Sequence, residues 1–108
     1  MPRAQQFFDQ GLRLFYAFNF EESARAFREA ARLDPRSAVA YYHRGESRRK
    51  AGDFGQAAAD FENAMKQNPQ YPDASFGRGK LWVSLNDSDK AITDFNRAIE
   101  LDAQLAHA

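Results

Sequence analysis

Catalysis by a protein side chain needs a nucleophile, an acid/base pair or a set of metal ligands, and this chain is poor in all three. It has no cysteine, which removes thiolate nucleophiles, disulfides and thiolate metal sites. Its two histidines are His43 and His107, the second beside the C-terminus. His43 stands between Tyr42 and Arg44, where it either contacts a ligand or serves as a structural or surface residue. Carboxylates come close together at Glu21/Glu22 and Asp87/Asp89. Both sets fall where helices are expected to begin, and there a negative charge favours the helix dipole and the cap without any catalytic role. Arg44, Arg48, Arg49 and Lys50 form the one basic cluster. It reads either as a phosphate-binding patch or as cations favoured in the last turns of a helix. Lys+Arg and Asp+Glu balance at 15 each, so no basic excess is available to hold a phosphate backbone. Neither a glycine-rich phosphate loop nor a metal-ligand spacing is present. The expectation is a non-enzyme with no metal, no cofactor and no nucleic-acid partner.

What positions these residues is a repeat. Arg44-Gly45 recurs as Arg78-Gly79, and Asp60-Phe61 recurs as Asp94-Phe95, both 34 residues on. At the same period Gly11, Gly45 and Gly79 fall in register, as do Phe27, Phe61 and Phe95, and Ala30, Ala64 and Ala98. Pro35 matches Pro69, with Ala103 in the third place. Starting at Ala4, the chain divides without insertion into units 4–37, 38–71 and 72–105 of a single domain spanning 1–108. A fixed period of this length is the mark of a stacked architecture.

Each unit reads as helix, turn, helix. Phe54, Ala57, Phe61, Ala64 and Met65 lie at helical spacing on one apolar face. Glycines at 11, 45 and 79 sit inside helical stretches, where each costs about 0.8–1 kcal/mol against alanine. Recurrence at one period implies a packing reason, namely a close helix crossing. Gly52 suits a left-handed helix cap and Asn86 takes the same place in the third unit. Asp34-Pro35 and Asn68-Pro69 end the second helices. Six helices are predicted, at about 4–17, 21–33, 38–51, 55–67, 73–85 and 89–101.

A 34-residue helix-turn-helix with these columns resembles the tetratricopeptide repeat (TPR), over residues 4–105. The family's small residue in the first helix matches Gly11, Gly45 and Gly79. Its small residue opening the second helix matches Ser23, Ala57 and Ala91, and its aromatic matches Phe27, Phe61 and Phe95. Its Gly-Asp-aromatic turn survives only as Gly52-Asp53-Phe54. Arg48 departs from the pattern, standing where Leu14 and Trp82 supply an apolar side chain. The resemblance implies an all-α fold: an α-solenoid of three antiparallel hairpins in a right-handed superhelix, acting as a protein-interaction scaffold or adaptor.

By the same resemblance the first helix of each unit lines a concave groove. The groove residues would include Phe8, Leu12, Phe15 and Tyr16 from unit one, Tyr42, His43, Arg49 and Lys50 from unit two, and Phe76 and Lys80 from unit three. Phe8, Phe15, Tyr16, Tyr42 and Phe76 lie outside the core columns, either as anchors for a peptide or as packing between units. One subgroup of the family grips a chaperone's C-terminal carboxylate with a two-carboxylate clamp. The clamp positions here are Phe8, Leu12, His43, Asp73 and Gly77, which supply none of the required lysines, arginines or asparagines.

Only Ala106-His107-Ala108 follows the third unit, so no C-terminal capping helix is expected, and Phe95, Ala98, Ile99 and Leu101 lack an obvious cover. Three explanations compete: a fragment of a longer array, homo-oligomerisation through Phe95, Ile99 and Leu101, or an engineered minimal array. The partner is expected to be a protein or peptide. No apolar run approaches the ~20 residues that cross a bilayer, and Met1–Gln6 lacks a signal-peptide core. The expected setting is cytoplasmic, away from membranes.

Overall fold

The computed structural model describes the backbone of residues 2–107 and the side chains of residues 2–103. Within that range the chain forms six helices: α1 (Pro2–Tyr16), α2 (Phe20–Leu33), α3 (Ala38–Lys50), α4 (Phe54–Gln67), α5 (Pro72–Ser84) and α6 (Ser88–His107). They pair as three hairpins stacked in chain order, an all-α solenoid. Pro2 and Pro72 open α1 and α5, where the missing N–H costs nothing. Ser37 caps α3, its Oγ accepting from the Ala40 N–H at 3.1 Å.

The turn inside each hairpin uses one left-handed residue, and the three again stand 34 apart: Phe18 (φ 62°), Gly52 (φ 87°) and Asn86 (φ 61°). Glycine and asparagine tolerate this region, whereas a phenylalanine there is strained. Between hairpins, α2 and α4 stop before Pro35 and Pro69. With Ala103 in the third place nothing stops α6, which runs on past the expected end at 101 to His107. The His107 side chain lies outside the described residues.

Phe27 and Phe61 are fully buried, and the glycine column explains how. A Cβ added at Gly11 would lie 2.7 Å from the Phe27 ring, at Gly45 2.8 Å from Phe61, and at Gly79 2.5 Å from Phe95. The two helices of each hairpin therefore cross at the phenylalanine, which takes the space a glycine vacates. Gly77 does the same from the next hairpin, its added Cβ falling 2.7 Å from Phe61. Phe61 is thus clasped between Gly45 and Gly77. One period earlier the place of Gly77 is held by His43, whose imidazole stacks on Phe27 at 5.3 Å and 21°.

Arg48, the departure noted above, belongs to a polar core. Asp60, 1% exposed, accepts from Arg44 Nε at 2.9 Å and from Arg48 Nη1 at 2.9 Å. One period on, Asp94 accepts from Arg78 Nε at 2.8 Å, Arg78 Nη2 at 2.9 Å and Trp82 Nε1 at 2.8 Å. Arg48 and Trp82 are interchangeable here because both present an N–H to the same carboxylate. Unit one has Gln10, Leu14 and Ala26 at these places and dispenses with the network.

Candidate functional site

The first helices α1, α3 and α5 lie side by side, and their shared face is the candidate site. Phe8 of α1 meets His43 of α3 edge-on at 5.2 Å, and Lys80 of α5 bridges to Glu46 of α3 at 3.1 Å. Glu46 is buried and also holds Arg49 across one helical turn, Nη2 to carboxylate 3.1 Å. Of the basic groove candidates, then, Arg49 and Lys80 are engaged by one carboxylate, while Lys50 is exposed at the end of α3. The rest of the basic cluster is engaged too, since Arg44 and Arg48 both bind Asp60.

Phe8, Tyr42 and Phe76 form one column at the 34-residue period, a relation the sequence already held. Each rests on the repeat phenylalanine of its own hairpin: Phe8 on Phe27 at 5.4 Å, Tyr42 on Phe61 at 6.1 Å and Phe76 on Phe95 at 5.4 Å. Phe8 and Tyr42 are half-buried, and each packs on that ring. Phe76 keeps half its surface exposed, with Lys80 Nζ over its ring at 5.0 Å. Leu12 and Phe15 are half-buried, Phe15 against Phe20 at 5.3 Å, while Tyr16 is 75% exposed. Val39 and Val83 complete the exposed apolar surface of these helices.

Burial and then the charges of Glu46 and Asp73 push the Tyr42 hydroxyl well above its ordinary range, which keeps it protonated. Burial pulls His43 down, against the opposing pull of Glu46 and Asp73, so its imidazole favours the neutral form. The imidazole is half-buried and stacked on Phe27, so it contributes to packing between the first two hairpins. Among the described residues no group of three or more His, Asp or Glu side chains is placed to hold a metal. No helix among them is long and apolar enough to cross a membrane.

The self-association candidates separate. Ile99 is 66% exposed, but Leu101 is 1% exposed and Phe95 is half-buried under Phe76 and against Gly79. Leu101 is therefore a core residue, as is Ala98 at 6%. Two sites were missed from sequence: Glu46 as the centre of the charge cluster, and Tyr71, whose ring meets Tyr42 at 5.6 Å. The Glu46–Lys80 pair spans 34 residues, so the period alone could have placed the two side by side on neighbouring helices.

A stack of helical hairpins presenting a continuous first-helix face defines a helical-repeat interaction module. The tetratricopeptide repeat family model matches residues 8–49 and 42–106, and the chain belongs to that family. Its members are protein-interaction modules rather than enzymes, and this chain is one. Among solved structures the chain is similar to the TPR2B domain of yeast Sti1 in complex with pHsp70, with TM-score 0.95, 20% identity, 99% of this chain and 86% of that one. It is also similar to the Arabidopsis OM64 TPR domain, with TM-score 0.92, 24% identity, 96% of this chain and 86% of that one. A third is PcrH in complex with the chaperone binding region of PopD, with TM-score 0.87, 22% identity, 93% of this chain and 75% of that one. Comparison with curated proteins returns no match.

Proposed function

We propose that the chain binds a peptide segment of a partner protein along the groove face of α1, α3 and α5, through apolar anchors rather than a carboxylate clamp. One observation carries this reading. The large apolar side chains left exposed on those three helices are Tyr16, Val39, Phe76 and Val83, and the family resemblance assigns all four to the inward face. Exposed large apolar side chains gathered on one set of helices suit an interaction site. Solved neighbours in complex with pHsp70 and with a region of PopD support the same direction. The pairing of Arg44, Arg48 and Arg49 with Asp60 and Glu46 engages most of the one basic cluster, and supports a protein partner over nucleic acid.

The test is capture of peptides from a randomised display library, followed by fluorescence anisotropy on variants. Phe76→Ala and Val83→Ala should each weaken binding about tenfold, the usual scale of an interface hot spot, with the thermal midpoint little changed. Phe8 and Tyr42 are poor probes, because they support Phe27 and Phe61. Unchanged binding in both exposed-site variants would overturn the reading.

A second reading is favoured by Ile99 and Ile92, 66% and 56% exposed on α6. In it the chain self-associates through that helix. Light scattering across a wide concentration range, on the wild type and on Ile99→Glu, decides it: a monomer throughout removes this reading.

A further inference from the structure

The junction between the first and second hairpins contains a cavity of about 300 Å³. Its wall includes Gln5 and Phe8 from α1, Ala30 and Asp34 at the end of α2, and Ser37 and Val39 at the start of α3. First-helix residues Gln5, Phe8 and Val39 form part of that wall, and its volume sits at the low end of the ~300–1,000 Å³ typical of ligand pockets. That suits one side chain rather than a whole ligand.

The periodicity of the chain says which side chain. One period on, Phe8 becomes Tyr42, Val39 becomes Asp73 and Ser37 becomes Tyr71. At that junction the Tyr71 ring packs edge-on to Tyr42 at 5.6 Å and is half-buried, with Asp73 close enough to act on its hydroxyl. At the second junction the residue at this place is thus a phenol packed on the column aromatic, and at the first it is only a serine. Two periods on from the first junction, Asp73, Phe76, Ala98 and Asp102, the counterparts of Gln5, Phe8, Ala30 and Asp34, again line a cavity, of about 320 Å³. Hollows lined by equivalent residues thus stand two periods apart, and at the junction between them Tyr71 takes the place of Ser37.

We infer that the cavity at the first junction is a subsite for an aromatic side chain of the bound segment, tyrosine by preference. This rests on the peptide-binding reading above and names one anchor within it. Phe8 presents its ring to the incoming aromatic as Tyr42 does to Tyr71, and edge-on packing of this kind adds to simple burial. The wall supplies acceptors for a phenol hydroxyl in the Asp34 carboxylate and in Gln5, whose amide nitrogen is turned to Asp9 at 2.9 Å.

The probe is p-cresol, titrated into the intact chain and followed residue by residue by amide NMR, with 4-methylcyclohexanol as its saturated analogue. The expected result is saturable shifts at Gln5, Phe8 and Val39 with a dissociation constant on the order of 1 mM for so small a ligand. The saturated analogue should bind at least about fivefold more weakly. Ser37→Tyr should install the missing ring and abolish these shifts, while any shifts at Phe76 and Ala98 persist. Because that change also removes the α3 cap, Val39→Trp, which adds bulk at an exposed residue of the wall, serves as the second variant. Absent shifts, equal binding of the saturated analogue, or shifts untouched by both variants would each overturn the inference. The display library keeps the two readings apart. Peptides that bind without tyrosine enrichment, and equally to both variants, overturn the subsite alone. Cresol binding at the cavity with no peptide captured overturns the peptide reading and leaves the pocket's aromatic selectivity standing.

Discussion

His43 is the residue whose titration the fold resists. Its pKa is lowered from the ordinary 6.5 because the imidazole is buried between Phe8 and Phe27. As pH falls through that ordinary value the unfolded chain takes up a proton that the folded chain refuses, so stability declines with falling pH until the folded pKa is reached. The slope from one such group is at most about 1.4 kcal/mol per pH unit. Urea midpoints between about pH 5 and pH 7 should show this decline. His43→Phe keeps a ring on Phe27 and should flatten it; an unaltered slope would assign the effect elsewhere. Phe18 is the second telling residue, 80% exposed in the left-handed region. Phe18→Gly should stabilise by about 1 kcal/mol, as relief of a strain of roughly 1–2 kcal/mol outweighs the added freedom of glycine in the unfolded chain. Asn86→Gly should be nearly neutral in the same thermal melts, since asparagine tolerates the conformation.

Between elements, the hairpins solve one packing problem in two chemistries. Units two and three hold α3 to α4 and α5 to α6 through a buried carboxylate, whereas unit one uses Leu14 and Ala26. Asp60→Ala leaves Arg44 and Arg48 without their partner and should destabilise by about 3–5 kcal/mol. Adding Arg44→Gln and Arg48→Leu rebuilds the combination of unit one, and should recover most of that loss in denaturant unfolding. If the triple variant is no better than the single one, the network contributes something the apolar version cannot. The columns behind this were legible from the start: Arg44/Arg78 and Asp60/Asp94 were visible as repeats. Their mutual contact was not, because each period lines up equivalent positions without saying which columns meet across a hairpin. Helix number and register could be read because glycine, phenylalanine and proline recur at one spacing. The end of α6 could not, since Ala103 gives no signal where Pro35 and Pro69 do.

At the level of the whole molecule, the site was only half legible. The period and the family resemblance pointed to the first helices, on which Tyr16 and Phe76 are exposed. Burial decides the rest, and burial depends on neighbours: Leu101 reads as apolar and uncovered, yet it is 1% exposed. Likewise Arg49 and Lys80 read as two groove cations, while in space they share the carboxylate of Glu46. The stacking itself has a consequence for motion. Every helix pair with extensive contact lies within a hairpin or between adjacent ones. Such a molecule behaves as a short row of coupled units, in which each opens at the cost of its own interior plus the interfaces it shares. Among the described residues the α3–α4 hairpin packs against a hairpin on each side. Hydrogen exchange under native conditions should therefore be slowest at amides of α3 and α4 and grade outward, so that the end hairpins open and reclose many times while the middle one stays shut.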